Sequence, residues 1–194
     1  MSSFSSLASK LQQTFTPHLE TSLNVWEVFA SKCEIIDVPK NTVLKDAGTA
    51  AADFYFILNG SMGLFLWEDG QCVCLEFAFE NQFFGDYMSI LTNEITPIEV
   101  HALENCEVAK IGREVFLELG ATPYGMPIMR AAAEATFIDK QRQQISLLTK
   151  SSKERLMSLI EKYPNIEQRV AQKHIASYLG ITPQSLSRIR SEKF

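Results

Sequence analysis

Between Glu34 and Ile111, apolar and polar positions alternate in short runs broken by turn residues. DFYFIL (Asp53–Leu58) is rich in aromatic and β-branched side chains, meets Asn59-Gly60, and resumes as SMGLFLW (Ser61–Trp67). An Asn-Gly pair between two such runs predicts a hairpin, because both residues tolerate the left-handed backbone of a tight turn. Glu68-Asp69-Gly70 predicts the next turn, into CVCLEFAF (Cys72–Phe79), and further strands are expected at Ile98–Leu103 and Glu107–Ile111. Many short strands without long helices between them predict an antiparallel barrel or roll. Helical turns are expected on either side, at Glu20–Ser31 and Arg113–Gly120.

After Pro127 the period lengthens. Ile138, Gln141, Ile145 and Leu148 step by three and four, which places them on one stripe of a long helix that also carries Met129, Ala132 and Phe137. Two readings of the stripe stand: a seam with a second copy, or packing against the chain's own barrel. Ser151-Ser152-Lys153-Glu154 then opens a new helix. Ser151 can accept from an amide of the first turn while Glu154 reaches back to it. That helix, Lys153–Lys162, should stop before Pro164. The chain is expected to hinge near residues 149–152.

The last segment, RVAQKHIASYLGITPQSLSRIR, carries the strongest pattern. Ile175, Ala176 and Leu179 give one helix an apolar face, with Ala176 small enough for a second helix to cross closely. Gly180 suits a left-handed helix end, and Ile181 can fill the angle between the two helices. Thr182 is a good N-cap and Pro183 a good first residue. Leu186 and Ile189 face inward, leaving Gln184, Ser185, Ser187, Arg188 and Arg190 outward. A helix fits the DNA major groove, where Arg can bond guanine and Gln adenine. The helix N-terminus with Lys173, Arg190 and Lys193 can hold phosphates, which set register without reading sequence. A helix-turn-helix is therefore expected over Gln172 to Arg190.

Charge supports that reading by its distribution. The 194-residue chain has a formal net charge of −5, which by itself argues against nucleic acid. Residues 151–194 hold eight Lys or Arg against four Glu, however, and residues 1–150 hold ten against nineteen acids. A basic end on an acidic body suggests a phosphate-binding terminus. Cys33, Cys72, Cys74 and Cys106 form no C-x-x-C pair, and His18, His101 and His174 stand apart in sequence. Cys72 and Cys74, two apart on a strand, read as small core residues on one buried face. No metal, haem or other cofactor is expected. No apolar run reaches the length of a membrane span and no secretion signal is read, so a cytoplasmic protein without a membrane partner is expected.

IASYLGITPQSLSRI resembles the helix-turn-helix of the catabolite-activator/FNR (Crp–Fnr) family of bacterial transcription regulators. The order of roll, long helix, capped hinge helix and helix-turn-helix is similar from about residue 20 onward, with Asn59-Gly60 and FFGD (Phe83–Asp86) as local matches. The resemblance implies an α+β fold. It comprises an antiparallel, cupin-like β-roll (a double-stranded β-helix) with flanking helices, a long dimerisation helix, and a C-terminal winged helix-turn-helix domain. The corresponding parts are residues 1–124, a cyclic-nucleotide-binding-like sensor; 125–150, the dimerisation helix and hinge; and 151–194, the DNA-binding domain. It further implies a homodimer whose recognition helices read the two halves of a palindromic site about 34 Å apart, with RNA polymerase as a further partner. Base-reading roles pass to Gln184, Ser187 and Arg188, and backbone roles to Lys173, Thr182, Ser185 and Arg190. Pro183 stands where relatives often carry a polar residue.

At the sensor pocket the resemblance weakens. The family's phosphate-binding cassette begins Gly-Glu and continues to an Arg that pairs with the cyclic phosphate. Here the start reads Gly85-Asp86, and alignment of VHALE (Val100–Glu104) puts Thr96 or Ile95 at the Arg position. No Arg precedes Arg113. A buried phosphate would lack its bidentate guanidinium partner, with Glu94 and Glu99 nearby, so tight binding of cyclic AMP is not expected. Asp86 then reads as a helix cap. The pocket could hold an uncharged or cationic small molecule, or be filled by Phe83, Phe84 and Tyr87.

Two other classes compete with a dimeric regulator. One is a signalling or interaction module of the same fold that has lost DNA binding. The other is a cupin-type enzyme, which would need clustered His and Glu ligands; His101 has no partner histidine nearby in sequence. An enzyme is not expected.

Overall fold

The computed structural model describes residues 3–17, 19–68 and 70–192. His18, Asp69 and Lys193, each weighed above, lie outside them. The chain opens with α1 (Ser3–Phe15) and α2 (Leu23–Ala30). Leu7, Ala8, Leu11 and Phe15 recur at helical spacing and pack on Trp26 and Ala30 of α2. The alternation of the following segment yields eight strands: β1 (Glu34–Val38), β2 (Val43–Lys45), β3 (Asp53–Asn59), β4 (Met62–Glu68), β5 (Gln71–Ala78), β6 (Phe83–Phe84), β7 (Ile98–Ala102) and β8 (Cys106–Gly112). A short helix, α3 (Tyr87–Thr92), interrupts them between β6 and β7.

The strands form two four-stranded antiparallel sheets, in the orders β1-β8-β3-β6 and β2-β7-β4-β5. This is the expected roll. Strand β3 explains how it is held. Tyr55 and Ile57 turn into the interior with Val38, Met62, Phe84, Val100 and Val108. Phe54, Phe56 and Leu58 turn outward beneath α1 and α2 and onto Phe116 of α4 (Arg113–Gly120). The period of two thus gives one strand a role in two cores.

One expectation is corrected here. Asn59-Gly60 does not close a hairpin, because β3 and β4 belong to different sheets and do not pair. The chain instead rounds a corner. Gly60 adopts φ 95°, and a Cβ there would meet Asn105 O and Cys106 Sγ at 2.7 Å, so only glycine passes. The hairpin forms one strand later, where β4 pairs with β5 and Gly70, at φ 74°, immediately precedes β5.

Beyond α4 run α5 (Gly125–Thr149), α6 (Ser152–Lys162), α7 (Ile166–Arg169), α8 (Gln172–Tyr178) and α9 (Pro183–Ser191). Ser151 caps α6 as expected: its hydroxyl accepts from Glu154 N, and the Glu154 carboxylate accepts from Ser151 N at 2.8 Å. Among the described residues no strand follows Gly112. The described chain after Ser151 is occupied by α6 to α9, and the paired strands of the expected wing are not among these residues.

That unit packs on the roll. Leu156, Leu159, Ile166, Ile175, Leu179 and Leu186 share a core with Phe65, Phe77 and Phe79 of the β4–β5 side. Cys74 is buried there, whereas Cys72 is exposed, which corrects the expectation of two buried thiols. Cys72 lies nearer the hairpin end of β5, past the packed helices.

Candidate nucleic-acid interface and sensor interior

The segment expected to form a helix-turn-helix folds as α8, a turn and α9. Gly180 ends α8 at φ 66°, and Ile181 packs into the angle between α8 and α9. Thr182 accepts from Ser185 N at 3.1 Å, with Pro183 at the first position of α9. Leu186 is buried and Ile189 half-buried against α8. Gln184, Ser187 and Arg188 are exposed together on the opposite face, and Lys173 is exposed on α8.

The other expected contacts are partly engaged. Thr182 and Ser185 are tied to each other in the cap. Arg190 turns back onto Glu167 of α7 at 2.9 Å and is half-buried. Arg188 stands at 4.0 Å from Glu192 with its side chain 74% exposed, a contact too long and too wet to restrain it.

The unit is moored to the roll by charge. Arg169 sends both guanidinium amines to Glu80, at 2.7 and 2.9 Å, and also bonds Glu104 at 2.6 Å, while lying over the Phe79 ring. Hydrogen bonding to Arg169 holds the Glu80 carboxyl below its usual range. At Glu104 burial pushes the pKa up, but hydrogen bonding and charge from Arg169 outweigh it and the net is downward. Ser177 of α8 accepts from Cys74 N at 2.9 Å. Arg155 donates to the Lys150 and Leu179 carbonyls, linking the junction of α5 and α6 to the end of α8.

The histidines, apart in sequence, meet in space. His101 lies 2.7 Å from Glu99, and His101 and His174 flank the Phe65 ring at 4.9 and 4.8 Å. Burial first, then the Lys173 and His101 charges, push the His174 imidazole down to about 4. Sequence spacing offered no sign of this seam.

Helix α5 carries apolar residues on two faces. Met129 and Ala132 pack inward against the roll's helical layer. Phe137, Ile138, Ile145 and Leu148 are 63, 47, 60 and 80% exposed, and Gln141 is exposed between them.

Inside the roll, Asp86 caps α3, accepting from Ser89 N at 3.2 Å. Its second oxygen takes a hydrogen bond from the Thr96 hydroxyl and lies 3.3 Å from Lys45 Nζ, both side chains being buried. Lys45 also donates to Thr96 Oγ1 at 2.9 Å, Ile98 O at 2.7 Å and Asp46 O at 3.3 Å. Sequence reasoning assumed that no cation reached this place; Lys45 corrects it. The lysine sits on β2, some fifty positions before Thr96, and only the pairing of β2 with β7 brings it in. Its three donors are spent within the protein, so the cluster is closed on itself.

Glu94 is exposed, and Glu99 pairs with His101 and with the Trp67 ring N–H, away from Lys45. Phe84 does fill the roll interior, but Phe83 and Tyr87 pack on the outer helical layer. Among the described residues no three His, Cys, Asp or Glu side chains gather as a metal site, and no helix is long and apolar enough to cross a membrane.

Comparison with known proteins shows what this geometry is similar to. Residues 35–122 match the cyclic nucleotide-binding domain. The matched residues take in the roll from β1 to β8 and α4. Over 105 residues the chain is 29% identical to the cAMP-activated global transcriptional regulator CRP of Pasteurella multocida, a match covering 54% of this chain and 49% of that protein. The chain thus spans about half the length of the curated relative it matches. Two solved structures share the fold across roll and helices. The c-di-GMP responsive global regulator CLP of Xanthomonas campestris superposes with a TM-score of 0.69 at 18% identity, over 88% of this chain and 91% of that one. FixK2 of Bradyrhizobium japonicum gives 0.70 at 15% identity, over 82% and 83%. The chain thus shares its α+β fold with these two structures and is similar in part of its length to the Pasteurella multocida regulator.

Proposed function

We propose that this chain is a DNA-binding transcription regulator of the Crp/Fnr type, dimeric and controlled through its roll, and not an enzyme. The observation that carries the reading is the single exposed face of α9. There Gln184, Ser187 and Arg188 stand free while Leu186 and Ile189 fix the helix to α8. Such a face supplies a bidentate donor for guanine and an amide for adenine. Lys173 adds a phosphate contact, and Arg190 adds another only if it leaves Glu167. The exposed stripe Ile138, Gln141, Ile145 and Leu148 supports a two-fold seam along α5, since contiguous apolar surface of this kind favours a covering partner. The working parts are residues 1–124, 125–150 and 151–194.

The roll interior is not a tight cyclic AMP site in this reading. Asp86 and Lys45 neutralise one another beside Thr96. A cyclic phosphate would have to break that pair and then be held by a lysine in place of a guanidinium fork. Calorimetric titration with micromolar cyclic AMP should give no heat of binding; a saturable response lost in Asp86→Ala would overturn this part. For the main reading, selection from a random duplex pool should enrich a palindrome with half-sites one helical turn apart. Recovery of no common site would defeat it.

A further inference from the structure

Between the roll and the inner face of α5 lies a cavity of about 620 Å³. Its walls include Trp26, Phe29, Phe54, Phe83 and Tyr87, closed on the helix side by Met129 and Ala132. We infer that this cavity is a binding site for an uncharged, largely aromatic or apolar small molecule, distinct from the closed Lys45–Asp86 interior.

Volume supports this first. Well-packed cores keep few voids larger than a water molecule, and small-molecule sites run from about 300 to 1,000 Å³ with mainly apolar and aromatic walls. Water held against these rings forgoes hydrogen bonds, and a ligand burying apolar surface there gains about 25 cal/mol per Å².

Charge defines the ligand class. Among the described residues of the walls Glu76 is the one carboxylate and no Lys, Arg or His joins it, and Lys140 already pairs with it at 2.6 Å. An ionised ligand would therefore be desolvated without a free counter-ion, which is costly. The Asn24 amide, the Thr136 hydroxyl and the Gln82 amide nitrogen remain for a few orienting hydrogen bonds, the Gln82 oxygen being held by Phe79 N at 2.8 Å.

A second copy of the chain is not the occupant these residues point to. Ile128, Met129, Ala132 and Thr136 line the cavity, while Phe137, Ile138, Ile145 and Leu148 are exposed. By helical spacing these sets occupy opposite faces of α5, so a partner on the outer stripe leaves the cavity open. The inference deepens the regulator reading, on which its consequence rests: the ligand would be the effector, acting on the helix that carries the dimer stripe.

The test uses the whole chain with methionine methyl groups labelled for NMR and N-phenyl-1-naphthylamine, an uncharged fluorescent probe. Fluorescence should rise to saturation at one probe per chain. The Met129 methyl signal should move with the same midpoint, while Met62 in the roll interior and exposed Met126 stay still. Ala132→Phe should weaken the probe at least tenfold with the Met62 signal in place, showing an intact roll. 1-Naphthol should displace the probe at least tenfold better than 1-naphthoate. Absence of saturable binding, movement of Met62 or Met126 in place of Met129, or equal displacement by the naphthoate would each overturn the inference. DNA binding is measured on the same sample, so failure of the probe alone leaves the regulator reading standing.

Discussion

Replacing Lys45 by Met removes the cation of the cluster that closes the roll and keeps most of the side-chain volume. Lys45 and Asp86 are only 6 and 3% exposed along their side chains, so water cannot substitute for the lost partner. Asp86 would keep Ser89 N and the Thr96 hydroxyl, yet its charge would stand buried and uncompensated. Breaking a buried pair from one side costs about 3–5 kcal/mol. At about 2–4 °C per kcal/mol for a chain of this size, the melting temperature should fall by about 6–20 °C. Adding Asp86→Asn removes the stranded charge while keeping an acceptor for Ser89 N, and should restore more than half of the loss. Urea unfolding followed by circular dichroism measures all four corners of the cycle. A Lys45→Met cost below about 1 kcal/mol, the range of an exposed pair, would refute the closed-cluster account. So would a double variant no more stable than the single one.

The remaining predictions concern the seams. The His174 pKa lies below its unfolded value of about 6.5, so the unfolded chain binds the extra proton and stability falls as pH drops from there towards about 4. The full shift would be worth about 3 kcal/mol and solvent screening cuts it to about 1–2 kcal/mol; His174→Phe should flatten that part of the stability–pH curve, and an unchanged slope would contradict it. Arg169→Ala leaves Glu80 and Glu104 facing each other, and at this partial exposure should cost about 1–2 kcal/mol. Amide exchange in α8 should quicken in that variant while β8 stays protected; equal acceleration throughout would mean that the mooring is not local. Ile138→Glu with Leu148→Glu should convert a dimer to a monomer in sedimentation without shifting the melting of the roll, and an unchanged sedimentation coefficient would exclude that stripe as the seam.

Local chemistry made much of this readable. The capping box at Ser151 and the Gly180-Thr182-Pro183 sequence fix their helix ends through atoms a few residues apart, so sequence spacing suffices. Arg113–Gly120 was legible from its composition alone, since Gly112 at its start makes no side-chain cap bond. Asn59-Gly60 misled because its turn chemistry fits a sheet corner as well as a hairpin, and the strand pairing that decides is non-local. Lys45 and the His101–Phe65–His174 seam were invisible, since each joins residues that only tertiary packing brings together. The stripe on α5 could be read, but not its separation from the second apolar face, because only the fold puts Met129 and Ala132 against the roll and leaves Ile138, Ile145 and Leu148 exposed.

The central claim is that α9 reads DNA, and fluorescence anisotropy on a duplex recovered by selection tests it most directly. Arg188→Ala removes one bidentate base contact without touching Leu186 or Ile189. It should weaken binding to that duplex by about 1–3 kcal/mol, roughly 5- to 150-fold in Kd, while binding to scrambled DNA changes little. Equal affinity of wild type for selected and scrambled duplexes, or an Arg188→Ala variant that binds the selected site as tightly as wild type, would contradict the account.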